Sequence, residues 1–299
     1  MTETSLIGFS RGTDQGNHFQ AVNPSTGQNL SVQYAHASQE DVERACQLAE
    51  SASLKLASLS GKEKAKFLNL VADKIDSVVD HLVEVMSAET ALPELRVRGE
   101  AGRTSGQLRM FANLVEKGSW VDARIDRAEP DRKPIPKPDL RAMLHPIGPV
   151  VVFCASNFPL AFSVAGGDSA SAWAAGCPVI VKAHHAHPGT ALLIGKLIVD
   201  SAKELGLPEG VFSLLFGEGR TVGQSLVQNE VVKAVGFTGS RAGGRALFDI
   251  ASQRTSPIPV FAEMSSVNPI FLLPELPENN VEEIAENLFA SATLGVGQF

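Results

Sequence analysis

Cysteine is scarce in this chain. Its three copies among 299 residues, Cys46, Cys154 and Cys177, have neither metal-ligand spacing nor the density of a disulfide framework, and a reducing cytoplasm is the expected compartment. Positive charge is also in short supply. Lys and Arg number 26 against 33 Asp and Glu, a net charge of −7. That balance argues against nucleic acid as a partner, because neutralising phosphates requires a basic face. No apolar run is long enough to span a bilayer, so no membrane partner is expected, and residues 1–5 lack the basic start of a signal peptide. Internal repeats and low-complexity tracts are absent as well.

What is present suits a globular protein with one large core or two smaller ones. The first stretch reads as an entry segment with a turn at Asn23-Pro24-Ser25-Thr26-Gly27. Two capping boxes, Ser38-x-x-Asp41 and Ser60-x-x-Glu63, open helices. Phe67, Leu70, Val71, Ile75, Val78 and Val79 keep helical spacing in the second, and a third helix is expected from Pro93 to Glu116. Residues 131–138, Asp-Arg-Lys-Pro-Ile-Pro-Lys-Pro, hold too many prolines for a helix or a central strand. They form either a surface loop or a protruding arm.

From Pro149 the chain alternates as βαβ units do. Val150–Phe153 reads as a strand, Phe162–Ala175 as a helix ended by Gly176, and Val179–Lys182 as the next strand. Pro188 opens a helix that Gly206 closes, and Val211–Phe216 and Val232–Phe237 are further strands. Ser240 caps the following helix, Pro259–Ala262 begins a crossing, and Asn280-x-x-Glu283 caps a last helix through Thr293. The expected fold is α/β, a Rossmann-like open parallel sheet with flanking helices.

Within this frame, several residues carry chemistry. Asn157, in Ser156-Asn157-Phe158-Pro159-Leu160, follows a predicted strand at its carboxyl end, where open α/β sheets place ligands. Lys182 ends the next strand, where it can reach ribose hydroxyls or an adenosine phosphate. His184, His185 and His187 follow, but no carboxylate or cysteine accompanies them, and no metal site is expected. Phe237-Thr238-Gly239-Ser240 joins a strand to a helix. Gly239 allows close backbone approach and Ser240 caps, so free N–H groups face an anion such as a dinucleotide pyrophosphate. The G-x-G-x-x-G fingerprint is missing, since Gly217-Glu218-Gly219 has the wrong spacing to Gly223.

These motifs, with Ala262-Glu263-Met264-Ser265-Ser266 and the terminal Gly297-Gln298-Phe299, closely resemble the aldehyde dehydrogenase superfamily. The features of residues 155–163 and 182–190 look most like its NADP-linked branch acting on 2,5-dioxopentanoate (α-ketoglutarate semialdehyde). In that family a Gly-Gln-x tripeptide precedes the nucleophilic cysteine, so the resemblance implies a chain cut just before its reactive atom. The 299-residue chain is therefore expected to be inactive, with Cys154 in a buried strand and unable to substitute. Thiol attack, hydride transfer to the nicotinamide and hydrolysis of the thioester would follow in the full-length protein.

By the same resemblance, Asn157 contributes its amide to an oxyanion hole. Glu263 is the base that activates water, and its apolar neighbours Phe261, Ala262 and Met264 are expected to raise its pKa. The family usually has Leu-Gly-Gly after this glutamate. NAD-preferring members place a glutamate at the position of His185, where it repels a 2′-phosphate. With Lys182, His185 and Arg220 converging and no carboxylate opposing them, NADP is the expected cofactor, with NAD possible. Arg103 aligns with a substrate-tunnel position and could hold a semialdehyde's carboxylate, or else pair with Glu100 one turn back. The implied organisation is an NAD(P)-binding domain of residues 1–122 and 146–262, an oligomerisation arm at 123–145, and the start of a catalytic domain at 263–299. The expected partners are an aldehyde and, at full length, further copies of the protein. Other readings are an oxidiser of long-chain aldehydes, an acylating relative (disfavoured by Glu263), and a non-catalytic nucleotide-binding module.

Overall fold

In a computed structural model, which describes residues 2–273 and 280–294, the amino-terminal segment is more than an entry stretch. It forms five strands: β1 (Thr2–Glu3), β2 (Leu6–Ile7), β3 (Ser10–Arg11), β4 (His18–Asn23) and β5 (Gln28–Ala35). The predicted turn joins β4 to β5, closed by Gly27 N–H donating to the Asn23 carbonyl (2.8 Å). Strands of two residues carry no periodicity to read. Their pairing is decided by distant partners, such as Ser5 Oγ accepting from Phe216 N–H (3.1 Å).

Helices α1 (Gln39–Ser58) and α2 (Gly61–Ser77) start at the predicted capping boxes, and both reciprocal bonds form in each. A separate helix α3 (Val79–Thr90) follows, then α4 (Glu94–Lys117), which Gly118 ends with φ of +73°. Strands β6 (Arg124–Asp126) and β7 (Leu140–Ala142) pair as an antiparallel ribbon around the proline-rich run. Ile125, Ile135, Leu140 and Leu144 on this ribbon are all exposed.

The core sheet comes next. Strand β8 (Val150–Phe153) leads to α5 (Gly167–Ala175), β9 (Val179–Lys182) to α6 (Pro188–Glu204), and β10 (Phe212–Leu215) to α7 (Gln224–Gln228). Strand β11 (Ala234–Thr238), α8 (Arg241–Gln253) and β12 (Val260–Glu263) complete the unit. The order is β12-β11-β8-β9-β10-β2-β3, with β12 through β10 parallel and β2 antiparallel to β10. The expected open parallel sheet with flanking helices is what forms. Alternate residues of the apolar strands serve opposite faces: Val150, Val152, Val179 and Val181 join the core under α2, α4, α5 and α6. Val151, Phe153 and Ile180 join the one formed with α1, α7 and α8. Burial on both sides explains why these runs show no polar alternation.

One predicted helix is shorter than expected. Residues 158–166 make turns, and α5 begins only at Gly167. The carboxylate of Glu100 on α4 accepts the N–H groups of Leu160 (2.8 Å) and Ala161 (3.0 Å), which stabilises a non-helical backbone there. A second buried carboxylate, Glu89 at the end of α3, accepts from Gly189 N–H (2.6 Å), Thr190 N–H (2.8 Å) and Thr190 Oγ1 (2.8 Å). His187, at the N-cap of α6, makes no side-chain cap bond, so Glu89 satisfies that helix end in its place.

The described chain divides after Met264. Beyond it lies helix α9 (Val281–Thr293), whose N-cap Asn280 makes no side-chain cap bond. Gly297, Gln298 and Phe299 fall outside the described residues.

Candidate active site

The chain passes from β8 to β9 and β10 in one direction, then returns to add β11 and β12 on the other side of β8. That reversal is a topological switch point, and open α/β sheets bind ligands in the crevice at its carboxyl side. One register row runs Ala262, Phe237, Phe153, Lys182, Leu215 across the sheet. Asn157, Glu263, His185, Arg220, Gly239 and Ser240 all lie a few residues beyond this row. The sheet thus brings the predicted residues to one edge.

Lys182 ends β9 at only 8% exposure, and no hydrogen bond reaches its ammonium among the described residues. Burial lowers its pKa, while Cys154 and the Glu218 carboxylate oppose that. Glu218 corrects the expectation that no carboxylate faces this edge, because it sits in the same turn as Arg220. Arg220 is exposed and forms no ion pair with Glu218.

The histidines form a stack, with ring centroids 4.4 Å apart for His184 and His185 and 5.5 Å for His184 and His187. Burial, then His187, His185 and Lys182, push His184 down to about 3. Burial pushes His187 down to about 4, offset in part by its bond to the Ala155 carbonyl. His185 is exposed yet also lowered, by desolvation and by Lys182. A neutral imidazole can still donate one N–H to a phosphate. Among the described residues, no cluster of His, Cys, Asp and Glu could hold a metal ion.

This stack has a consequence for acid stability. Folding holds His184 and His187 neutral, whereas unfolded histidine titrates near about 6.5. Below that pH the unfolded chain binds more protons, so stability is complete above about 6.5 and declines as pH falls toward the folded values. Urea midpoints are expected to drop between pH 7 and 5, and less steeply in His184→Gln. Identical pH slopes for the two proteins would show that His184 does not carry the effect.

Ser240 Oγ accepts from Gly243 N–H (3.2 Å) and so caps α8, as predicted. The need for glycine at 239 is internal: a Cβ there would lie 2.9 Å from Phe237 Cζ. Gly244 makes similar room, since a Cβ would meet Met264 Sδ at 2.6 Å. Phe237 and Met264 thus pack onto the first turn of α8, and Gly239 N–H donates to the Glu263 carbonyl (3.0 Å).

One placement departs from expectation. Glu263 stands exposed on the edge strand β12, not in the apolar setting that its sequence neighbours suggested. Strand alternation turns its side chain out, and Phe261 is itself 67% exposed. Cys154 lies one residue beyond β8, buried, with desolvation pushing its thiol up to about 11. Cys46 and Cys177 are buried as well.

Arg103 projects from α4 over the rings of Phe158 (5.5 Å) and Phe162 (5.0 Å). It does not pair with Glu100, which is instead bonded to the loop and to Arg96 Nε (3.4 Å). Glu100 and His187 are residues that the sequence reading passed over. Glu100 entered it only as a possible mate for Arg103, and His187 only as part of a discarded metal motif.

This chain is 51% identical over 300 residues to alpha-ketoglutaric semialdehyde dehydrogenase 2 of Azospirillum brasilense, covering 100% of the chain and 57% of that protein. It is 45% identical over 280 residues to alpha-ketoglutaric semialdehyde dehydrogenase of Acinetobacter baylyi, covering 94% of the chain and 53% of that protein. The chain therefore spans little more than half the length of either relative. Its fold matches an E. coli NADP dependent enzyme with a TM-score of 0.86 at 23% identity, over 100% of this chain and 58% of that one. It also matches 3,6-anhydro-L-galactose dehydrogenase in complex with NAP, with a TM-score of 0.85 at 24% identity, over 100% of this chain and 59% of that one. Residues 11–299 match the aldehyde dehydrogenase family, and the chain belongs to that family.

Proposed function

We propose that this chain forms the cofactor-binding part of an NADP-dependent aldehyde dehydrogenase that oxidises 2,5-dioxopentanoate to 2-oxoglutarate. The observation that carries the cofactor reading is Lys182, a buried residue at the crevice edge whose ammonium has no hydrogen-bond partner among the described residues. A ribose hydroxyl or a 2′-phosphate would satisfy it, with His185 in the same turn after β9 and Arg220 in the turn after the neighbouring strand β10. The pyrophosphate would meet the N–H groups of Arg241 and Ala242 at the start of α8, which Ser240 leaves open. When bound, NADP supplies the acceptor for the aldehyde's hydride. The Asn157 amide donates to the oxygen that gains charge, and Glu263 takes a proton from the hydrolytic water. The exposed apolar residues of the 123–145 ribbon pair with another copy of the protein.

One charge-assisted phosphate contact contributes about 1.5–3 kcal/mol, or roughly ten- to hundredfold in affinity. NADP+ is expected to bind that much more tightly than NAD+, and Arg220→Ala to remove most of the difference. Calorimetric titration of both cofactors measures this, and equal wild-type affinities would refute the preference.

The substrate reading rests on the two relatives' names and on Arg103, whose guanidinium has no carboxylate partner among the described residues. Its planar fork suits a bidentate pair with the distal carboxylate of a semialdehyde acid. In the whole protein, Arg103→Ala is expected to raise KM for 2,5-dioxopentanoate about tenfold or more, the loss of one charged hydrogen-bonded pair. KM for an uncharged aldehyde of similar length should change little. A parallel rise for both substrates would remove Arg103 from carboxylate recognition.

A further inference from the structure

The loop that carries Asn157 is fastened at both ends by side chains from other elements. On its amino-terminal side, His187 Nε2 lies 2.7 Å from the Ala155 carbonyl. On its carboxyl-terminal side, Glu100 Oε1 accepts from Leu160 and Ala161 N–H. A backbone bond from Ala155 N–H to the Phe162 carbonyl (2.9 Å) closes the loop between them. Arg96 stacks over Phe158 at 4.5 Å, and Pro159 restricts its own φ. Few degrees of freedom remain to Asn157.

Both fastenings are unfavourable choices for stability alone. Glu100 is a carboxylate at 3% exposure, and burying one costs desolvation that apolar packing of similar volume avoids. His187 is fully buried with its Nδ1 unpartnered, a polar group withdrawn from water without a matching bond. Without Glu100, the amides of Leu160 and Ala161 would lose their acceptor. What the two residues provide is a fixed backbone on either side of a single asparagine.

We propose that Glu100 and His187 are positioning residues that hold Asn157 in place, an inference that rests on reading Asn157 as the oxyanion donor. An oxyanion donor is effective only if it is oriented before charge develops, and misplacement by about 1 Å can cost on the order of a hundredfold. Neither residue is expected to touch substrate or cofactor.

The test has two readouts. In the 299-residue chain labelled with 15N-asparagine, the side-chain amide signal of Asn157 and hydrogen exchange at Leu160 and Ala161 report the loop directly. Glu100→Ala and His187→Ala are expected to speed exchange and broaden or split the Asn157 signal. Glu100→Gln, which keeps an acceptor oxygen, should restore most of the wild-type behaviour, and it serves as the test variant if the alanine form does not fold. In the whole protein, single-turnover hydride transfer should slow about tenfold or more in Glu100→Ala, with KM and NADP+ affinity within about twofold of wild type. Leu82→Ala, a core truncation on α3, controls for lost stability.

Unchanged exchange and an unchanged Asn157 signal would overturn the proposal. So would a loosened loop with normal hydride transfer, or an equal slowing in Leu82→Ala. If the wild-type whole protein oxidises no aldehyde, the functional reading fails by itself, and the exchange and NMR measurements still decide whether the two residues hold Asn157.

Discussion

Replacing Asn157 with alanine is expected to lower kcat of the whole protein by about 10²–10³ while leaving NADP+ affinity unchanged, the effect of removing one oxyanion donor. The magnitude follows from where the donor acts. On the proposed reading, its amide would gain little from a neutral carbonyl in the ground state and much from the oxyanion in the transition state, so the loss would fall on kcat. A side-chain amide also supplies this bond without a proton acid, so the effect should be independent of pH across the working range. Two cationic side chains of α4, Arg96 and Arg103, lie over the ring of Phe158, the residue that follows Asn157. Steady-state rates with titration of NADP+ check the expectation. A variant whose KM rises while kcat holds would make Asn157 a binding residue only.

Glu89→Ala is expected to destabilise the chain by about 3–5 kcal/mol, because it leaves buried donors that a carboxylate had satisfied. Gly189 N–H, Thr190 N–H and Thr190 Oγ1 all lose their acceptor, and α6 begins with two orphan amides. At 4% exposure little water can replace the carboxylate. Burial raises the pKa of Glu89, and the three bonds oppose that rise. The midpoint of thermal unfolding should fall by roughly 5–8 °C for a chain of this size. Differential scanning calorimetry measures it, and a shift below about 2 °C would mean that the site relaxes to satisfy those donors. Glu89→Gln should recover part of the loss, since its oxygen still accepts.

Local chemistry made much of the architecture legible. Ser38, Ser60 and Ser240 cap helices as their spacing indicated, because a capping bond needs only residues three apart. The unbroken apolar runs of β8 and β9 announced strands buried on both faces, and Pro188 marked the start of α6. Placing Asn157, Lys182 and Glu263 at one sheet edge followed from the same reading, since residues that end parallel strands share a side. The start of α5 was not legible, because the Glu100 carboxylate that holds the turn before it lies 60 residues away on α4. The two-residue strands were hidden for a similar reason: Gly8 N–H finds Ser213 Oγ across 205 positions.

By itself, then, the sequence determined the alternation of strands and helices from β8 to β12 and the caps of α1, α2 and α8, consequences of period and of neighbours within a few positions. Only the tertiary structure decided that Glu218 shares the edge with Lys182, that Glu263 faces outward on β12, and that Glu100 and His187 take hold of the Asn157 loop. The physical reason is common to all of them. A side chain's burial and partner depend on which elements pack against it, and a hydrogen bond between helices tens of residues apart leaves no periodic trace in the chain.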